Sequence, residues 1–163
     1  MTGNTTGHKT EITTPSDTEI RIEREFDAPP ELIWEAYTDP ELIAEWLGPR
    51  DGEMSVQEMD VRPGGVYRYT HRSSDGSEHR FSGEFREVEA PRVLESTFKY
   101  EPIDDVSVDR LELEEIDGGR TRLVAISTFD SKEARDGMLQ SGMEKGVVEG
   151  YDKLDEQLAR RQK

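Results

Sequence analysis

The 163-residue sequence predicts an α+β fold: a curved, seven-stranded antiparallel sheet wrapped around a long C-terminal helix, with two short helices after the first strand. Three observations carry this expectation. From about residue 53 to residue 129, apolar and polar side chains alternate in short runs bounded by Gly, Pro and Asp clusters, the pattern of consecutive half-buried strands. From Ser131 to Arg161 the period becomes helical, with Leu139, Met143, Val147, Tyr151, Leu154 and Leu158 on one face. Strands gathered in one run with helices at the chain ends indicate α+β and not a parallel α/β sheet.

Taken in order, residues 1–17 are Thr, Gly, Asn and Ser with hardly an apolar side chain, which predicts a disordered lead before one domain over 18–163. Residues 19–26 alternate apolar and charged side chains, as a strand with one wet face does. Asp27-Ala28-Pro29-Pro30 stops it, and proline opens a short helix over 30–38. Asp39-Pro40 caps a second, over 41–46, closed by Leu47-Gly48-Pro49. Strands follow at 54–61, 66–72, 78–88, 93–100, 106–116 and 121–129. Their connections include Pro63-Gly64-Gly65, the hairpin signal Asp75-Gly76, and Asp117-Gly118-Gly119.

In the last helix Ser131 serves as N-cap, Glu133 sits in the first turn, and Arg160 and Arg161 suit the carbonyl end. Glu149 with Lys153 and Glu156 with Arg160 are favourable pairs four residues apart. Gly142, Gly146 and Gly150 recur every four residues beside the apolar stripe. Each costs about 1 kcal/mol in a helix relative to alanine, so tertiary structure must compensate. Either another backbone packs close, or space is left open beneath the helix.

Strand parity assigns the inner faces. Tyr67, Tyr69 and His71 share one side; so do His79, Phe81, Gly83 and Phe85; so do Leu94, Ser96, Phe98 and Tyr100. This aromatic set with scattered hydroxyls and imidazoles suits either a plain core or a ligand pocket. Arg68, Arg72 and Arg80 fall on the outer faces, where a ladder with neighbouring acids is expected.

Net charge is −16. Residues 131–163 hold seven basic and seven acidic side chains, so the acid excess lies in the first 130 residues, with 30 acids against 14 bases. A field of that sign excludes nucleic acid and anionic membrane as partners. Residues 101–117 carry eight acids and one base, read as a solvated face or a dock for a basic partner. Lysine is scarce, six against fifteen arginines, a balance suited to a high-salt cytoplasm. Cysteine is absent, and there is neither a membrane-length apolar run nor an apolar signal region, so a cytoplasmic location is expected.

Several local motifs now align with a known group. Asp27-Ala28-Pro29-Pro30-Glu31, a helix with Trp34, Trp46-Leu47-Gly48-Pro49, Pro63-Gly64-Gly65 before an aromatic strand, Asp75-Gly76, Gly142-Met143-Glu144-Lys145-Gly146 and Tyr151-Asp152-Lys153-Leu154 stand in the same order. The chain over about 19–158 therefore resembles the START/Bet v 1-like (SRPBCC) superfamily, in the branch named for the activator of Hsp90 ATPase homologue. The resemblance implies the helix-grip fold and a hydrophobic cavity between sheet and long helix. Members bind lipids, plant hormones, polyketides or antibiotics, and a few are cyclases or hydrolases. The namesake stimulates a chaperone ATPase with the help of a second domain, for which this length leaves no room.

No nucleophile elbow, zinc-binding His-Glu-x-x-His, phosphate-cradling glycine loop or thiol is present, so no catalytic residue, cofactor or metal site is assigned. His71 and His79 face each other across a hairpin as a pair of polar contacts; an acid/base pair or two-ligand metal site is the alternative. Trp34 and Trp46 read as helix anchors that also border a ligand. The ligand-binding set is thus Trp34, Trp46, Tyr67, Tyr69, His71, His79, Phe81, Phe98, Met143, Val147 and Tyr151. The expected function is binding of a hydrophobic or aromatic small molecule. A chaperone-activating interaction module and a cyclase or hydrolase are the alternatives, with a homodimer as a further possible assembly.

Overall fold

The computed structural model describes residues 8–101 and 105–162. Among these, eight strands form one antiparallel sheet: β1 (Glu11–Thr13), β2 (Glu19–Phe26), β3 (Glu53–Met59), β4 (Val66–Arg72), β5 (Glu78–Glu89), β6 (Val93–Tyr100), β7 (Val106–Ile116) and β8 (Arg120–Thr128). Two short helices, α1 (Pro30–Thr38) and α2 (Pro40–Trp46), follow β2, and α3 (Lys132–Gln140) and α4 (Met143–Arg161) end the chain. The strand order is β1-β2-β8-β7-β6-β5-β4-β3. β3 to β8 form a meander, and β2 joins at its end against β8. Register shifts between Val56 and Glu58 and between Phe85 and Glu87 mark bulges, which add local bend and twist to a sheet that curls around α4.

Alternation in β2 buries Ile20, Ile22, Arg24 and Phe26 and leaves the intervening residues half-exposed. Helix α1 starts on proline, and Asp39 caps α2 by accepting from the Glu41 and Leu42 amides, so the two helices turn sharply at one residue. Ile33, Ala36, Ile43 and Trp46 from these helices join Leu123, Tyr151, Leu154 and Leu158 in the core. The Trp46 indole donates to the Ala36 carbonyl at 2.9 Å and locks α2 against α1. α4 is held from the sheet side by Arg24, whose guanidinium pairs with Asp155 and reaches Asp152 at 3.1 Å.

Two expectations are corrected. An eighth strand lies inside the segment read as a disordered lead: Ile12 stands opposite Ile22, Thr10 accepts from Arg24 at 3.0 Å, and His8 meets Asp27 at 2.9 Å. Three residues with a single apolar side chain leave no periodicity to read, while residues 1–7 of that lead lie outside the described residues.

The C-terminal helix is also broken. Ser131 caps α3 through the Ala134 amide as expected, but Gly142 adopts φ 88°, a left-handed conformation, and α4 starts anew at Met143. The side-chain pairs expected along the helix are replaced by longer reaches: Glu156 meets Arg50, Arg160 meets Glu45, and Lys153 donates to the Pro49 carbonyl. Helix α2 and the loop after it lie close enough to compete for these side chains.

Candidate functional site

The space between the inner face of the sheet and α4 is not filled. A pocket of about 410 Å³ lies there, bordered by α2, the loop after it and the start of α4. Its floor is aromatic because three neighbouring strands place rings at matched register positions. Tyr69 stands opposite Phe81 across β4 and β5, and Phe81 opposite Tyr100 across β5 and β6. Tyr67 stacks on Tyr69 with centroids 5.0 Å apart, and Phe81 on Phe98 at 5.5 Å. The Tyr67 ring lies across Gly83, where an added Cβ would fall 2.5 Å from it. Its hydroxyl thereby donates to the Thr97 carbonyl at 2.6 Å on the next strand.

On the helix side, Tyr151 is the pivot. Its ring stacks on Trp46 at 6.0 Å and meets Phe26 edge-on at 5.5 Å, while its hydroxyl shares a hydrogen bond with Tyr37 at 3.1 Å. Gly150 permits the close approach of α4 to the end of α2, for an added Cβ would stand 3.0 Å from the Trp46 carbonyl oxygen. Gly146 and Gly150 also border the pocket, so close packing and open space coexist along the glycine row.

His71 and His79 are direct register partners with rings 6.4 Å apart. His71 Nε2 bonds the Asp51 carbonyl at 2.9 Å, and His79 Nδ1 the Tyr100 hydroxyl at 2.8 Å. Each imidazole is thus committed to a neutral partner. Among the described residues no group of three His, Asp or Glu side chains is arranged to hold a metal ion. Arg72 and Arg80 both reach Glu78, and Arg68 lies 3.8 Å from Glu101, the outer-face ladder that strand parity predicts.

Ten of the eleven candidate residues border the pocket: Trp46, Tyr67, Tyr69, His71, His79, Phe81, Phe98, Met143, Val147 and Tyr151. Trp34 is not among the lining side chains; it packs half-buried against the core, since α1 turns that face away from the sheet floor.

Residues 27–159 match the family described as Activator of Hsp90 ATPase homolog 1-like protein. The chain belongs to that family. No curated protein matches it significantly. Among solved structures, a protein of Rhodobacter sphaeroides is 29% identical with a TM-score of 0.85, covering 93% of this chain and 99% of its own. A protein of Arthrobacter aurescens is similar at 29% identity and TM-score 0.84, covering 92% of this chain and 91% of its own. An Hsp90 activator from Plasmodium falciparum shares the fold at 20% identity and TM-score 0.59, over 80% of this chain and 91% of its own. Family and helix-grip fold therefore agree. No helix among the described residues is long and apolar enough to cross a membrane.

Among the pocket residues that the sequence did not single out, Asp109 is the ionisable one at its centre. Asp109, in the acidic run 101–117, is not part of a solvated face; it turns inward on β7 and borders the pocket with Ser96, Ser107 and Ser127. Burial away from bulk water pushes its carboxyl up to about 6, an effect that the nearby Ser127 hydroxyl partly offsets. Burial also raises the Tyr37, Tyr67, Tyr69 and Tyr151 phenols, and the Asp109 charge adds to the rise in each, so all four stay neutral donors at ordinary pH. Parity with Leu111 and Leu113 was the available signal for Asp109.

Proposed function

We propose that this chain binds a hydrophobic or aromatic small molecule in the pocket between the sheet and α4. The observation that carries the reading is the pocket itself: about 410 Å³ walled by stacked rings, where a filled core would place side chains. Apolar area removed from water supplies affinity at roughly 25 cal/mol per Å². Selectivity comes from the few polar groups, His71 and His79 among them.

Val147 lines the pocket from α4, and Val147→Trp places an indole in it. Native mass spectrometry of gently purified protein is expected to show excess mass that disappears on organic extraction and is absent from Val147→Trp. A clean apo mass, with no thermal shift across a panel of lipophiles, would overturn the reading.

A second reading draws on the family description and on the Hsp90 activator from Plasmodium falciparum: a contact that stimulates a chaperone ATPase. Its surface would be the end of β7, where Glu112 and Glu114 on the outer face and the neighbouring Glu115 are exposed. Stimulation that survives Val147→Trp and fails on reversing the charges at 112–115 would favour this reading over ligand binding.

A further inference from the structure

The sheet floor carries a polar line within the apolar pocket. Ser96 on β6 stands opposite Asp109 on β7, and Asp109 opposite Ser127 on β8, so the three side chains lie abreast on the inner face. All three border the pocket. Asp109 Oδ1 is shielded from water and accepts no hydrogen bond. No arginine or lysine acts on this carboxyl among the described residues; burial and the Ser127 hydroxyl are what set its proton affinity. The nearby Tyr67 hydroxyl is spent on the Thr97 carbonyl, and those of Tyr37 and Tyr151 on each other.

A shielded carboxylate oxygen is expected to have partners for its lone pairs, and this one has an unfilled acceptor just behind an apolar space. The χ2 torsion of aspartate is soft, so a partial turn of the carboxylate presents that acceptor to the pocket without disturbing the strand. We propose that Ser96, Asp109 and Ser127 form the polar subsite of the pocket, where Asp109 accepts a hydrogen bond from a hydroxyl, amide or amine on an otherwise apolar ligand. The proposal rests on the ligand-binding reading above and narrows it.

The same carboxylate repels a ligand carboxylate at short range in a medium that screens poorly. The matching class is therefore a polycyclic or long-chain alcohol, phenol or amine, and a fatty acid is the wrong one. Donor-bearing and donor-free ligands of one shape should differ by about tenfold or more, the usual worth of a hydrogen bond to a charged acceptor.

Equilibrium dialysis with 2-naphthol, 2-methylnaphthalene and 2-naphthoate tests this at pH 8, where Asp109 is ionised. The wild type is expected to bind 2-naphthol about tenfold more tightly than 2-methylnaphthalene, with 2-naphthoate weakest. Asp109→Leu should erase the advantage of the naphthol, and Asp109→Asn should admit the naphthoate. Equal wild-type binding of naphthol and methylnaphthalene overturns the subsite and leaves pocket binding standing. Failure of all three to bind folded protein overturns both. Should Asp109→Leu not fold, Asp109→Asn decides alone, because undiminished exclusion of naphthoate would show that the Asp109 charge does not face the ligand.

Discussion

Two charged side chains on the inner face, Arg24 and Asp109, behave oppositely because, among the described residues, one has an opposite charge beside it and the other has only a hydroxyl. The Arg24 side chain is 1% exposed and meets Asp155, itself 5% exposed, with the Phe26 ring 5.3 Å from its guanidinium carbon. Arg24→Ala strips a buried carboxylate of its guanidinium, and urea unfolding is expected to register a loss of about 3–5 kcal/mol. Replacing both Arg24 and Asp155 with leucine should cost much less, since no charge is then left inside.

Asp109 works in the other direction. Its folded pKa of about 6 lies above the ordinary aspartate value of 3.8, so near pH 5 the native state holds a proton that the unfolded chain has already lost. The native state is therefore unpenalised below pH 4, loses stability as pH rises from about 4 to 6, and carries a penalty of about 3 kcal/mol above that. Asp109→Asn should match the wild type at pH 4 and exceed it by up to that amount at pH 8, measured as paired unfolding free energies. A difference that stays flat across the window would mean that the carboxyl titrates normally. Both residues sit at inward positions of their strands, and parity alone could have placed them. What spacing could not supply was Asp155, 131 residues from Arg24, or that no such charged partner stands beside Asp109 among the described residues.

At the scale of elements, seven strands and both short helices were legible to within a residue or two, because alternation and proline placement act locally. The break in the last helix was not. Leu139 and Met143 keep the four-residue step across it, so the apolar stripe continues in phase while the backbone does not. Gly142 is the residue that decides this. A Cβ there meets no atom within 4 Å, yet φ of 88° is unfavourable for any L side chain, so Gly142→Ala should cost about 1 kcal/mol through backbone strain alone. Gly146 lies inside α4, where an added Cβ comes no closer than 3.7 Å, to the Pro49 ring. Gly146→Ala should therefore stabilise by about 0.5–1 kcal/mol, and thermal denaturation of the two variants should shift in opposite directions.

For the whole molecule, the acid excess is the dominant property. Many outer-face acids are engaged: Arg110 bridges Glu87, Glu95 and Glu112, and Arg122 reaches Glu23, Glu25 and Glu114. Twenty-one cations cannot neutralise thirty-seven acids, and the residual −16 opposes compaction. Molar KCl should raise the unfolding temperature by screening this repulsion; an unfolding temperature that does not move with salt would show that the surface ladders already balance the field. The aromatic character of the pocket walls was legible in strand parity. Its volume was not, since that depends on how far the bulges at Val56/Glu58 and Phe85/Glu87 bend the sheet away from α4.

The pairing of β2 with β8 also dictates a sequence of events in time. Phe26 stands opposite Thr121, so the first long strand has no permanent neighbour on the meander side until nearly the whole sheet has been synthesised. β3 to β8 can close as successive local hairpins while the chain emerges. During that interval the face bearing Ile20, Ile22 and Phe26 waits uncovered, and its edge is open to unintended pairing. Closure of this molecule is thus a single late, long-range step, slow by the standards of local folding. The hazard it runs in the cell is set at its N-terminus, well before the helix that seals the pocket exists.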